Sequence, residues 1–230
     1  MEKFNNYNNS NLKDIVHDLK TPITSIMGFI ELLKQGDYDK KSTSEFYDII
    51  LDESQKLLRM VNNILYTCKE DNQSDNICNL NIQIDKYVKE LAPLARKRNI
   101  DIKINISSSN IYVSIPEDKM SRILTNIIEN AIKYNKEHGK IFIDVYEENE
   151  YVFVKIRDTG IGIPESEIGD VFNKYYRSSV SKKLSVEGSG LGLAIARDIV
   201  KEYKGNIKLT SVLNQYTEFI ISFPISRMEK

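Results

Sequence analysis

The chain has 230 residues, with 32 basic and 33 acidic side chains and a net charge of −1, so it carries no global bias toward nucleic acid or an anionic membrane, and any phosphate binding must be local. No apolar run approaches the roughly 20 residues that span a bilayer, and the start, MEKFNNYNNSN, lacks the apolar core of a signal peptide. The expectation is a soluble, cytoplasmic chain of one large or two modest domains; Cys68 and Cys78 match no metal spacing and read as free thiols in a reducing compartment.

From Leu12 the apolar positions Ile15, Val16, Leu19, Ile23, Ile26, Met27, Ile30 and Leu33 trace one helical stripe. A proline, Pro22, interrupts it in VHDLKTPITSIMGF, Val16 to Phe29. Proline in a helix interior costs about 3 kcal/mol or more through a lost hydrogen bond and a clash with the carbonyl four residues back. That carbonyl belongs to Asp18, next to His17. The stretch KQGDYDKKS then turns the chain, with Ser42 or Ser44 expected to cap a second helix whose stripe is Phe46, Ile49, Ile50, Leu57, Leu58, Val61, Ile64 and Leu65. Two such helices form an antiparallel hairpin but leave much apolar surface wet, so a homodimer forming a four-helix bundle is expected.

The polar stretch CKEDNQSDN separates this hairpin from a mixed region, and the boundaries are placed at residues 1–70, a linker 71–78 and a second domain 79–230. There QIDKYVKELAPLARKRN reads as a helix, IDIKINI and NIYVSI as strands, and PEDKMSRILTNIIENAIKY as a helix with Pro116 in its first turn. GKIFIDVYEE and EYVFVKIRD are strands joined through Glu147 to Glu150, and a long stretch from Gly160 to Ser189 follows. GLGLAIARDIVKEYKG is a helix closed by Gly205, and NIKLTSVL and YTEFIISFPI form a last hairpin. Hairpins dominate, so the second domain reads as an α+β sandwich with helices over one face of the sheet.

Four segments of this domain carry chemistry. NIIENAIKY sets Asn126 and Asn130 on one helical face, with Lys133 one turn on; asparagine is a poor interior helix residue, so the pair needs a polar ligand or solvent. DTGIGIP, Asp158 to Pro164, ends a strand in a glycine turn that admits a ligand close to backbone. GSGLGLAIA, Gly188 to Ala196, places glycines before a helix, whose free N–H groups favour phosphate. VFNKYYRSS, between them, supplies Lys174 and Arg177.

In this order the segments resemble the N box, first glycine box, F box and second glycine box of the histidine kinase ATP-binding domain, within the gyrase, chaperone, kinase and mismatch-repair ATPase superfamily, and HDLKTP resembles the H box of the dimerisation and phosphoacceptor domain. The resemblance covers roughly Leu12 to Pro224. It implies a sensor histidine kinase core of a two-component system: a dimerisation and phosphoacceptor domain, then a catalytic ATP-binding domain, using ATP and magnesium (Mg2+), with a response regulator receiver domain as partner and no nucleic acid or membrane contact in this chain.

Residue by residue, the resemblance makes His17 the phosphoacceptor, Asp18 the acceptor for its other ring N–H, and Thr21 the residue that positions water for dephosphorylating the regulator. Pro22 becomes a bend point that lets helix motion move His17. Asn130 would coordinate magnesium, with Asn126 in the same shell; Lys133 would neutralise phosphate, and Tyr134 would lie against the nucleotide. Asp158 would accept from the adenine amino group, helped by Thr217. Gly160, Gly162, Gly188, Gly190, Leu191 and Gly192 would wrap the nucleotide, and Gly160 to Ser189 would be a lid bearing Lys174 and Arg177.

His138 reads as a turn residue without assigned chemistry, Tyr175 and Tyr176 read as lid packing, and Lys182 and Lys183 fit equally a contact to phosphate or a solvated loop. Asn126 stands where the hydrolysing branches of the superfamily use a glutamate, which argues against ATP hydrolysis as the main reaction. Where the family often has glycines before the threonine, this chain has LNQYTEF; Asn214 can take a glycine-like turn conformation, but Tyr216 adds bulk. The chain fits either a short soluble kinase or the cytoplasmic portion of a membrane-anchored receptor.

Overall fold

A computed structural model describes residues 2–36, 38–67, 77–108, 110–183 and 190–226. The chain divides into two compact units, residues 1–71 and 72–230.

The first unit is a helical hairpin of α1 (Glu2–Gln35) and α2 (Lys40–Thr67). Helix α1 starts ten residues before the apolar stripe and runs through Pro22 as one element. Its end packs on α2 through Phe29 and Phe46, with ring centroids 5.3 Å apart, and Tyr38 meets the same Phe46 edge-on at 5.0 Å. The expected serine cap of α2 is replaced by Asp39, whose carboxylate accepts from the N–H groups of Lys41 (2.8 Å) and Ser42 (2.9 Å). An aspartate just before the first turn brings a full negative charge to the positive end of the helix, which a serine inside that turn cannot do. Ser42 instead donates its hydroxyl to the same carboxylate, at 2.9 Å.

The second unit opens with β1 (Cys78–Asn79), which pairs antiparallel with β3 (Tyr112–Val113). Cys78 is therefore folded into a strand, fully buried, and burial pushes its thiol up to about 12, which makes it inert; Cys68 lies outside the described residues. Helix α3 (Leu80–Lys97) begins earlier than its apolar stripe suggested because Asn79 caps it, accepting from the N–H groups of Asn81 and Ile82. It ends with Asn99 in the left-handed conformation (φ 54°), while Ile100 and Asn99 return hydrogen bonds to the carbonyls of Ala95 and Arg96.

The main sheet has the order β2-β4-β5-β7-β6, from β2 (Asp101–Ile106), β4 (Lys140–Glu148), β5 (Tyr151–Asp158), β6 (Asn206–Val212) and β7 (Tyr216–Pro224). β2 runs parallel to β4, and every other pairing is antiparallel. One face alternates into the core through Ile141, Ile143 and Val145 of β4, Val154 and Ile156 of β5 and Phe219, Ile221 and Phe223 of β7. Against it lie the buried faces of α3, α4 (Glu117–Lys133) and α6 (Gly192–Glu202), so the unit is a two-layer α+β sandwich. The β4–β5 turn puts both Asn149 (φ 50°) and Glu150 (φ 64°) in left-handed conformations, the geometry that a tight hairpin requires.

Helix α6 closes differently from the expectation. Lys204, not Gly205, takes the left-handed conformation (φ 57°), and Gly205 donates to the carbonyl of Val200 at 2.8 Å. Gly205 is needed for space: a side chain there would run into the ring of Phe223, 2.5 Å away. Among the described residues no helix is long and apolar enough to cross a membrane.

Candidate functional site

Helix α4 buries Met120, Ile123, Leu124, Ile127, Ile128, Ala131 and Ile132, which leaves Asn126, Asn130 and Lys133 half-buried on its flank. Its last turn is held by a residue that the pattern reading did not single out. Arg98, at the end of α3, donates to the carbonyls of Ile132 (2.6 Å), Lys133 (2.5 Å) and Asn135 (2.8 Å). Lys133 places its ammonium 5.4 Å from the ring centre of Tyr134. Burial raises the pKa of the Tyr134 hydroxyl, and the Arg177 guanidinium, within electrostatic reach of it, opposes that rise. The Tyr134 carbonyl accepts from the Ile161 N–H at 3.0 Å, joining the end of α4 to the first glycine turn.

That turn begins at Asp158, the last residue of β5, which is 4% exposed and sits opposite Thr217 of β7 in the sheet register. Burial pushes its carboxyl from 3.8 up to about 7, against the backbone N–H groups of Gly160, Thr217 and Asp158 itself, which favour the charged form. The Gly160 N–H reaches Asp158 Oδ1 at 2.8 Å. Gly162 lies in the left-handed region (φ 66°) against the backbone of Val212, where a Cβ has no room. The β6–β7 hairpin is bound onto this turn: Asn214 donates to the Ile161 carbonyl at 2.7 Å, Ile163 donates to Ser211 Oγ at 2.8 Å, and the Lys136 ammonium donates to the Asn214 carbonyl. Asn214 does take the left-handed conformation (φ 63°).

The second glycine segment is described from Gly190 onward; Gly188 lies outside the described residues. Gly190 (φ 67°) packs on the backbone of Tyr175 and Tyr176, and its carbonyl accepts from the Tyr175 N–H at 3.0 Å. Leu191 is buried at the start of α6. A side chain at Gly192 would come within 2.7 Å of Asn126 Oδ1, so the glycine is what lets α6 lie against the asparagine. The stretch expected to be a lid contains a 3₁₀ turn at Glu165–Glu167 and the short helix α5 (Ser179–Lys183). Glu167 accepts from the backbone and the hydroxyl of Ser179, at 3.0 and 2.5 Å. Lys174 is exposed on this stretch and Arg177 is half-buried.

The second unit thus gathers three neighbouring groups: Asn126 with Gly192; Lys133, Tyr134 and Arg177; Asp158, Gly160 and Thr217. The first unit carries His17 and Asp18 on α1, with Thr21 exposed one turn on and Pro22 buried beside it.

This set suits a ligand with an amino-bearing ring at one end and anionic groups at the other. Buried acceptors stand at the sheet ends, the glycines let the turns pack closely around them, and Lys133 lies beside Tyr134. Among the described residues no group of three or more histidine, cysteine, aspartate or glutamate side chains could hold a metal ion. A cation here would therefore have to share the ligand's own oxygens and the amide oxygen of an asparagine such as Asn130.

Two family models match the chain: His Kinase A (phospho-acceptor) domain over residues 8–73, and histidine kinase-, DNA gyrase B-, and HSP90-like ATPase over residues 115–227. The sensor histidine kinase WalK of Bacillus subtilis (strain 168) is 30% identical over 229 residues, covering 97% of this chain and 38% of the relative. A sensor protein kinase WalK of Staphylococcus aureus is 30% identical over 222 residues, covering 94% of this chain and 53% of the relative. The chain thus spans well under half the length of the Bacillus relative. Among solved structures, the histidine kinase ThkA in complex with response regulator protein TrrA superposes with a TM-score of 0.74 and 27% identity, over 94% of this chain and 61% of that one. The Acinetobacter baumannii histidine kinase AdeS, at 21% identity and a TM-score of 0.70 over 92% of this chain and 98% of that one, shares the fold.

Proposed function

The chain belongs to the histidine kinase family, and on that premise we propose that it is an ATP-dependent protein-histidine kinase that phosphorylates its own His17 and passes the phosphoryl group to an aspartate of a response regulator. The observation that carries the reading is the buried Asp158 beside Thr217, continuous through Gly160 and Tyr134 with the polar flank of α4.

In this reading ATP, when bound with magnesium, supplies the phosphoryl group. Asp158 and Thr217 accept from the adenine amino group, and Tyr134 offers its ring to the nucleotide. Asn130 would hold the metal by its amide oxygen, and Asn126 would contribute to the same phosphate and metal shell. Lys133 and Arg177 balance phosphate charge, with Lys174 available from the lid. Gly160 and Gly162 would let the first turn come close to the nucleotide, and Gly188, Gly190, Leu191 and Gly192 would wrap it ahead of α6.

His17 attacks the terminal phosphorus of ATP through one neutral ring nitrogen, with ADP as the leaving group, while Asp18 accepts from the other ring N–H, fixing the tautomer and raising the basicity of the attacking atom. Thr21, four residues on and hence on the same helical face, orients water when the phosphorylated regulator is the substrate, giving the chain a phosphatase activity. Pro22 weakens the helix at the Asp18 carbonyl and lets the His17 segment bend.

The domain division proposed is 1–70 for dimerisation and phosphoacceptance, 71–78 as linker, except that Cys78 already pairs in β1 of the second unit, and 79–230 for ATP binding. Homodimerisation is supported by the apolar residues that one hairpin leaves uncovered: Val16 (57% exposed), Ile23, Met27 and Ile30 on α1, and Leu51, Leu58 (62%) and Val61 on α2. The complex of the ThkA relative with its regulator supports the choice of partner. The reaction draws on cytoplasmic ATP, whether the chain is free or part of a membrane-anchored receptor.

Incubating the whole chain with ATP labelled in its terminal phosphate tests this. The expected product is a protein-bound label that is lost in acid and survives base, the behaviour of a phosphoramidate. An acid-stable label, or none with magnesium present, would overturn the reading.

A further inference from the structure

Ser211, on β6, stands at the centre of a small hydroxyl network. Its Oγ accepts from the Ile163 N–H at 2.8 Å, lies 2.7 Å from the Tyr216 carbonyl oxygen and lies 3.1 Å from Thr217 Oγ1. Counting hydrogens settles who donates. Two oxygens 2.7 Å apart need a hydrogen between them, and a carbonyl has none. Ser211 must therefore spend its single hydrogen on Tyr216. The Ile163 N–H already fills one of its lone pairs. What remains toward Thr217 is one lone pair, so in that bond Thr217 is the donor.

We propose that Ser211 is a positioning residue for base selection: by taking the hydroxyl hydrogen of Thr217 it fixes Thr217 as an acceptor beside Asp158, so the pair accepts an amino group and opposes a carbonyl. This rests on the nucleotide reading given above. The role falls to Ser211 because the threonine hydroxyl is a rotor. Left alone, it turns to donate to a carbonyl as readily as it accepts from an amine, and it reads nothing. Asp158 shares that ambiguity near neutral pH, since a carboxyl that takes up its proton becomes a donor. With the Thr217 hydrogen committed to Ser211, one acceptor stays an acceptor whatever the protonation of its neighbour. A carbonyl-bearing base then meets lone pairs and leaves them unpaired in a buried place, the kind of mismatch that discriminates strongly between ligands.

The test compares ADP with inosine diphosphate, which carries a carbonyl where adenine carries its amino group, by calorimetric titration of the whole chain with magnesium. The wild type is expected to prefer ADP by about a hundredfold. Ser211→Ala should narrow that ratio roughly five- to tenfold, and Ser211→Thr, which keeps the hydroxyl, should restore it. In a Thr217→Val background Ser211→Ala should change the ratio no further, because there is no hydroxyl left to orient.

A structural role alone would weaken both nucleotides equally, so an unchanged ratio in Ser211→Ala overturns the proposal. Ser211→Cys, close in shape but a poor acceptor, gives the same reading if the alanine variant does not fold: a narrowed ratio supports the role and an unchanged one refutes it. If the wild type binds the two nucleotides equally, the base-reading assignment of Asp158 and Thr217 fails first and the role of Ser211 falls with it. That outcome is separate from a discriminating wild type whose variants keep its ratio.

Discussion

Among the residues of the first unit whose burial is described, Pro22 is the single buried one, and Leu58, Val16 and Met27 are more than half exposed. In the second unit Ile123, Leu124, Ile127, Ile141, Ile143 and Val152 have no exposed surface at all. The sequences of the two regions are comparably apolar in pattern, so the contrast lies in geometry. Two helices share one seam, and each keeps an apolar flank that the other cannot reach. A sheet with three helices on one face surrounds its apolar side chains within one chain. The lesson is that the second unit is finished by itself, whereas the first needs another surface, which we propose is a second copy of the chain. It also puts the proposed nucleophile on the unfinished unit and the proposed nucleotide site on the finished one.

The most severe way to break this division is His17→Gln. Phosphorylation should vanish while ADP affinity stays within about twofold, because a side chain on α1 contributes nothing to a site built wholly in the other unit. Retained acid-labile label would remove His17 from its role. Next comes Asp158→Asn, aimed at the finished unit. The Asp158 carboxyl titrates near 3.8 when unfolded and about 7 when folded, so the folded state holds the extra proton between those values. The stability it lends is full at low pH and is lost as pH rises through about 7. At pH 8 the cost of the buried charge is complete, with an upper bound of about 4 kcal/mol. The asparagine variant should therefore unfold at higher urea at pH 8, by roughly 1–4 kcal/mol, and should bind ADP more weakly. Equal stability of the two proteins at pH 8 would contradict the buried charge.

Leu58→Glu tests the unfinished surface, where a charge on a bare monomer flank would be harmless. If the flank is covered by a second copy, self-association measured by sedimentation should weaken about a hundredfold or more. Sedimentation identical to the wild type would show that Leu58 faces water. The smallest effect is expected from Thr21→Ala: regulator dephosphorylation should fall about tenfold with autophosphorylation nearly unchanged. Parallel losses in both assays would place Thr21 in general packing.

How much of this was legible depends on how local each cause is. The stripe from Leu12 to Leu33 was readable as a helix from its period alone, and the stripe through α4 because its spacing is itself the cause of burial, as were the strand alternations that end at Asp158 and Pro224. Caps were half-readable: KQGDYDKKS contains the capping residue, but which polar side chain reaches the first N–H groups depends on where the turn begins, and that residue is Asp39. At the end of α6 the glycine marked the right place for the wrong reason, since Phe223 comes from a strand the local pattern does not see. Ser211 and Arg98 were not readable, because their partners at Ile163 and at Ile132 to Asn135 are distant in sequence and arrive only through the fold.

Arg98 has a consequence for the field around the proposed phosphate site. A helix presents the equivalent of about half a negative charge at its carboxy-terminal end, and the polar flank of α4 leads toward that end through Lys133. Left bare, the carbonyls of Ile132 and Lys133 would repel an approaching polyanion. The guanidinium seated on them and on Asn135 contributes a whole positive charge at 2.5–2.8 Å, more than the helix end contributes in the opposite sense. The sign of the potential at the close of α4 is thereby inverted, which favours an anion at that end of the helix.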